Sequence, residues 1–390
     1  MAGVPRVILL VEASRQYGRG ILRGVVSYAH THGPWNVERG DPFYFEYGRK
    51  HHGRMSTNPQ DWMADGIIMR EPRQAEALLK LQVPIVFVSY LVEEIPGTAC
   101  VKTDDTAVGW MAANHFLEKG YDRFAYVGYP GMYWSEQRRA GFAEQVEAVG
   151  YRVEQYEQRK KARGWLEEQE ALGAWLKRLP KPVAVMACND DRAEQVVSAC
   201  RAAGVRAPEE LAVLGVDNDE FVCELSNPPL SSISLDVEKA GYSAAALLDK
   251  MMHGGSAAGR VVEVRPVEVV ERRSTDVLAL RDAALVEALR YIREHAREPL
   301  QVEDVAEHVG VSRRNLHGRF QRVLGRSVHE EVARVRVQLI CRMLRHTTLS
   351  VPEIARLTGC GSPSHLTRFV KRHMGTTPRA YRQSQAGAQR

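Results

Sequence analysis

VEDVAEHVGVSRRNLHGRFQRVLG (302–325) and VPEIARLTGCGSPSHLTRFVKRHMG (351–375) are one structural phrase written twice near the end of a 390-residue chain. Each copy opens with a short amphipathic stretch that carries Val-Ala or Ile-Ala on its apolar face and runs into a Gly turn. A Ser follows where a helix would begin, Ser312 in the first copy and Ser362 or Ser364 in the second. Its hydroxyl can accept a hydrogen bond from the orphan N–H groups of the first turn. A stretch rich in Arg or Lys comes next. That is the layout of a helix-turn-helix, whose second helix can lie in a major groove of DNA. The spacing predicts a long connecting helix over about residues 328–345, with Leu339, Met343 and Leu344 packing both units against it. Neighbouring major-groove sites on one face lie about 34 Å apart, so a rigid connector lets one chain read two of them.

Charge is distributed to match. Residues 281–390 carry 20 Lys+Arg against 10 Asp+Glu, while the first 280 residues carry 33 against 38. A mildly acidic body with a strongly basic tail is the footprint of a polyanion-binding module.

At 390 residues and 44% hydrophobic content, two or three globular domains are expected. No apolar run approaches the roughly 20 residues that span a bilayer. The opening MAGVPRVILLVEAS has an apolar stretch too short for a signal-peptide core and reads as a buried first strand, which implies a cytoplasmic protein. The six cysteines (Cys100, Cys188, Cys200, Cys223, Cys341, Cys360) are scattered without C-x-x-C spacing, as expected of thiols in a reducing compartment. His51-His52 reads as a solvated pair in a polar loop, and no metal or cofactor is implied. There is no P-loop or dinucleotide fingerprint, so catalysis is not expected.

The first 270 residues alternate short apolar runs with helical patterns. RVILLV (6–11), DGIIM (65–69), PIVFVS (84–89), RFAYVG (123–128), PVAVMAC (182–188), LAVLGV (211–216) and SSISL (231–235) read as strands. Amphipathic stretches at 20–30, 107–119 and 193–203 lie between them. Near-continuous Val/Ile/Leu runs imply parallel strands buried on both faces by helices. Several run straight into polar residues: Glu12 and Ser14, Arg70, Asn189-Asp190, and Asp217-Asn218-Asp219. Ligands in open α/β sheets bind at such carboxyl ends, so the polar ends imply a shared cleft on a two-lobed body.

The stretch from VAVMACNDD (183–191) through GVDN (215–218) and PPLSSI (228–233) resembles the second lobe of LacI-type sugar-sensing cores and periplasmic sugar-binding proteins. VKTDDTAVGWMAANHFLEKGYDRFAYVG (101–128) and VVERRST (269–275) extend the likeness, and the closing GTTPRAYR (375–382) is similar to the AraC/XylS family of regulators. The combined order resembles bacterial regulators of the xylose-operon type. The expected fold is an α/β two-lobed periplasmic-binding-protein-like sensor domain (1–276), a linker (277–283) and an all-α double helix-turn-helix domain (284–390). The resemblance implies a sugar-responsive transcription regulator with double-stranded DNA and an aldose, D-xylose first, as partners. It also implies a homodimer, with RNA polymerase as a further partner. Another aldose, or repression in place of activation, fits the same architecture. AraC-like modules also occur fused to DNA-repair methyltransferases, but no P-C-H-type motif surrounds any cysteine here.

Helical periodicity places Leu316, Phe320, Leu366 and Phe369 inward. Arg313, Arg314, Asn315, His317 and Arg319 then face outward on the first recognition helix, and Ser364, His365, Thr367, Arg368, Lys371 and Arg372 on the second. The resemblance nominates Arg314, His317, Ser364, Thr367 and Arg368 as base-readers, while Arg322, Lys371 and Arg379 suit phosphates. Gly318 stands where family members often carry a long polar side chain, so the first unit is expected to read fewer bases. For the sugar, the resemblance nominates Arg138, Asn189 and Asp217, with Glu12, Ser14 and Tyr17 walling the first-lobe side. Trp134 is the stacking ring, the alternative being an anchor between lobes. Asp104 is expected to cap a helix at the hinge. Leu235 and Val237 replace the family's polar or aromatic groups after PPLSSI.

Overall fold

The computed structural model describes residues 3–39, 63–70, 78–88, 95, 97–157, 164–257, 259–276, 282–324, 326–347 and 349–387. The chain divides into two compact units, Met1–Ala279 and Leu280–Arg390. His51, His52 and most of the expected linker lie outside the described residues.

The first unit holds two six-stranded sheets. Sheet one contains β1 (Arg6–Leu10), β2 (Asn36–Arg39), β3 (Gly66–Met69), β4 (Ile85–Phe87), β5 (Ala99–Thr103) and β11 (Val261–Val264), in the order β11-β5-β4-β3-β1-β2 and all parallel. Sheet two contains β6 (Phe124–Val127), β7 (Val153–Gln155), β8 (Val183–Ala187), β9 (Leu211–Val216), β10 (Ser231–Leu235) and β12 (Pro266–Val270), in the order β12-β10-β9-β8-β6-β7. Only the β10–β12 pairing is antiparallel among these. The seven expected strands all form, with β9 and β10 at the expected bounds. The other five carry no continuous apolar run in the sequence reading, and four of them are edge strands whose outer positions are exposed. An edge strand alternates or stays polar, so it lacks the continuous apolar run that marks a central one.

Helices cover both faces. α1 (Gln16–His32) and α7 (Val237–Met252) pack in the first lobe, and α2 (Asp105–Glu118) and α3 (Tyr133–Ala148) in the second. α4 (Trp165–Arg178), α5 (Asp190–Ala203) and the short α6 (Glu220–Leu225) complete the second lobe. The α1–α7 and α2–α3 pairs each meet at reciprocal glycines. A Cβ on Gly24 or Gly241 would lie 2.0 or 2.1 Å from a carbonyl of the other helix, and on Gly109 or Gly141 2.3 or 2.2 Å. Among the described residues the chain crosses between lobes three times: after β5, after β10, and at Arg265 between β11 and β12.

The second unit contains seven helices among the described residues: α8 (Ala283–Glu294), α9 (Val302–His308), α10 (Arg313–Leu324), α11 (Val328–His346), α12 (Val351–Leu357), α13 (Pro363–Met374) and α14 (Pro378–Gly387). Asp282 accepts from Leu285 N at 3.2 Å, so Asp282 and Ala283 begin a helix and do not belong to the linker. Capping boxes start α9, α11 and α12, closing two orphan donors apiece. Leu316, Phe320 and Leu366 are fully buried, as the periodicity predicts. On α11, Ile340 and Leu344 enter the core of the second helix-turn-helix, whereas Leu339 is only half-buried. Arg336 near the middle of α11 donates to the carbonyls of Ala296 and Glu298, tying the connector to the turn between α8 and α9.

Candidate functional site

The close approach of α2 and α3 puts Arg138, on the second turn of α3, against Asp105, the first residue of α2. Their Nε–Oδ1 distance is 2.8 Å, and the two side chains are 5% and 7% exposed. Arg138 also donates to the Cys188 carbonyl at 2.6 Å, lies 3.8 Å from Asp217 Oδ1, and stacks on the Trp134 ring at 5.0 Å. Asn189 caps α5 by accepting from Arg192 N at 2.9 Å, which leaves its amide N–H groups for the cavity. Across the cleft, Tyr17 is covered by the Arg70 guanidinium at 4.7 Å.

Tyr17, Arg70, Thr103, Asp105, Trp134, Arg138, Asn189 and Asp217 together line one interlobe cavity. An aromatic wall with converging bidentate groups is what a polyhydroxylated ring requires. Burial pushes the Asp217 carboxyl up to about 6, against the opposing pull of Arg138 and Arg70. Asp105 is also raised by burial, again opposed by Arg138. The cavity therefore holds a fixed guanidinium between two carboxylates that water solvates poorly. Such groups gain when ligand hydroxyls replace the missing water.

Five of the seven expected ligand residues meet in this cavity. Glu12 and Ser14 do not: both are exposed, and the Glu12 carboxylate turns back to accept from Ser14 N at the approach to α1. Strand β1 ends at Leu10, and Glu12 and Ser14 sit exposed on the turn into α1, which then brings Tyr17 to the cavity. Asp104 caps α2, accepting from Ala107 N at 2.9 Å. Thr103 and Asp105 were missed beside it, and alternation was the available signal: if residue 104 caps the helix, its neighbours face the cleft. Arg70 had been visible as a polar strand end. Neither Leu235 nor Val237 lines the cavity.

In the second unit, Ser312 and Ser362 are the helix caps, each accepting from the N–H three residues on at 3.2 Å. Arg313, Arg314, Asn315 and His317 are exposed on α10, and Ser364, Arg368, Lys371 and Arg372 on α13. Arg313 pairs with Glu303 at 2.6 Å on the surface. Arg319 departs from expectation: it is half-buried and its guanidinium clasps the Asp282 carboxylate at the start of α8. It braces the recognition helix and does not present a free fork. His365 Nδ1 lies 2.8 Å from the Cys360 carbonyl, and Thr367 Oγ1 donates to the Pro363 carbonyl at 2.9 Å. A Cβ on Gly318 would meet nothing within 4 Å. No helix among the described residues is long and apolar enough to cross a membrane.

Residues 113–275 match the periplasmic binding protein-like domain family, and residues 305–384 match a helix-turn-helix domain family. The chain is 33% identical to the xylose operon regulatory protein of Escherichia coli (strain K12), covering 97% of this chain and 96% of that one. It is 30% identical to the protein of that name from Haemophilus influenzae, covering 97% and 98%. A solved structure of a xylose-binding transcription activator superposes with a TM-score of 0.79 at 31% identity, over 98% of this chain and 99% of that one.

Proposed function

The chain belongs to the family of xylose operon regulatory proteins, and we propose that it is a D-xylose-dependent activator of a pentose-catabolic operon. The observation that carries the reading is the cavity: Arg138 fixed between Asp105 and Asp217, with Trp134 across its face, in a chain whose other unit bears two basic recognition helices. Asp217, Asn189 and Arg70 address the hydroxyls, Trp134 takes the apolar face of the ring, and Arg138 holds both acids in place. Sugar shifts a pre-existing open–closed equilibrium by binding the closed state better. Closure then alters how the reading units are presented, across a homodimer built on the sensor units in the cytoplasm.

Arg314 and His317 on α10, with Ser364, Thr367 and Arg368 on α13, address base edges. Arg313, Arg322, Lys371 and Arg379 supply phosphate contacts, and activation follows from contact with RNA polymerase. The full chain is titrated with D-xylose, D-ribose, L-arabinose, D-glucose and D-galactose in a thermal-shift assay. At 100 times its dissociation constant a ligand adds about 2.7 kcal/mol of stability. A shift with D-xylose supports the reading, a shift with another aldose reassigns the effector, and no shift with any sugar overturns it.

A further inference from the structure

α1 is a 17-residue helix that begins without a cap of its own. The residue at its N-cap position, Arg15, makes no side-chain cap, and the first turn contains no acidic residue. The missing acceptor comes from the other lobe. Asp219, 3% exposed, accepts from Gln16 N at 2.8 Å and from the Arg19 guanidinium at 3.1 Å. Arg15 reaches Asp191 of the second lobe at 2.9 Å. A carboxylate at a helix N-terminus, paired with an Arg one turn on, joins dipole, cap and ion pair in a single contact. That contact exists only while the lobes are together.

The turn that carries Asp219 is strained. Asp217 and Asn218 have φ of 100° and 49°, two successive non-glycine residues in the left-handed region. Such backbone persists only where its surroundings hold it, and it concentrates at switching elements. Two of its three residues are accounted for: Asp217 lines the sugar cavity and Asp219 meets α1. Asn218 faces the opposite way. Its Oδ1 accepts from Arg272 at 2.9 Å, and its N–H donates to Ser232 Oγ at 3.0 Å. Arg272 is held by Glu224 at 2.8 Å and by Ser231, and Ser231 is bonded in turn to the buried Ser274 and Thr275. These are among the last described residues before the segment that leads to the DNA-reading unit.

We infer that Asp219 and Asn218 are positioning residues that do not touch the sugar: Asp219 latches the closed cleft by capping α1 from the other lobe, and Asn218 passes that state through Arg272 to the sensor's exit. This rests on the sugar-sensing reading above, and the test separates the two. In the full chain, Arg19→Gln, Asp219→Asn and the double variant are titrated with D-xylose by calorimetry. Each single change is expected to weaken binding about tenfold, and the double change no more than the worse single. Unchanged affinity, or effects that multiply, overturns the latch. If the wild type binds no aldose, the sugar reading has failed and the latch is read without ligand. Amides 16–19 must then exchange with deuterium faster in Asp219→Ala than in the wild type, and equal exchange overturns it. For the exit arm, Asn218→Gly removes the acceptor while keeping a left-handed backbone. Sugar affinity should stay within about twofold, while the sugar-induced change in affinity for an in-vitro-selected DNA duplex falls at least fivefold. Asn218→Asp should restore it. Full coupling in Asn218→Gly overturns the relay.

Discussion

Replacing Arg138 with Met leaves Asp105 and Asp217 facing each other without their shared cation. The three side chains are 5%, 7% and 22% exposed. Removing one partner of a buried pair costs roughly 3–5 kcal/mol, because the charge left behind is still desolvated. For a unit of this size, with an unfolding entropy of about 2.1 cal/mol/K per residue, that corresponds to a fall in Tm of roughly 5–9 °C. The stranded acids can escape the cost by binding protons, which makes the loss depend on pH. In the wild type, burial raises Asp217 to about 6, above its unfolded value of about 4. Between those values the folded state keeps a proton that the unfolded state has lost. Stability from this group is therefore greatest below pH 4, falls as pH rises, and levels above about 6. Arg138 opposes the rise, so its removal lifts both acids further and carries the decline on toward pH 8. Thermal denaturation of the full chain across pH 5–8 should show the full gap at pH 8, shrinking by at least half at pH 5. An equal gap at both ends refutes the charge argument and assigns Arg138's contribution to packing, including its 5.0 Å stack on Trp134.

Trp134→Ala should weaken D-xylose binding by about 1–3 kcal/mol, read by calorimetry, while leaving the ligand-free Tm close to wild type. A large ligand-free loss would make Trp134 an interlobe anchor. Gly318→Ala should stabilise the reading unit by up to about 1 kcal/mol in denaturant melts, because its Cβ meets nothing within 4 Å. Arg368→Ala should cost about 1–3 kcal/mol at one base pair and relax specificity there. Lys371→Ala should instead weaken all duplexes alike and lower the salt slope by about 0.9. If Arg368→Ala weakens every sequence equally, it is not a base-reader.

What could be read in advance divides by the range of the interaction. Central strands and recognition helices announce themselves because burial imposes a pattern on consecutive residues: all-apolar in β9, a 3.6-residue period in α10 and α13. Edge strands such as β2 and β7 carry no such pattern, since half their surface faces water. The duplicated helix-turn-helix was legible down to its caps, where each Ser bonds an N–H three residues away. Glu12 and Ser14 were misplaced because a strand end reveals a polar turn but not its direction. Arg319 looked outward by helical phase alone, and its partner Asp282 lies 37 residues back in the chain.

The sequence by itself therefore determined the two-part organisation, the parallel sheets, the paired DNA-reading helices and the types of side chain that end near the cleft. All of these follow from local periodicity, capping and composition. Tertiary structure alone decided which of those side chains meet. It brought Tyr17 and Arg70 from one lobe to Arg138 and Asp217 of the other, and Asp219 to the bare end of α1. The physical reason is that a cavity and a cross-lobe cap are properties of how two sheets close on each other. Their contacts span as many as 203 residues of chain, a range over which no repeat in the sequence carries information.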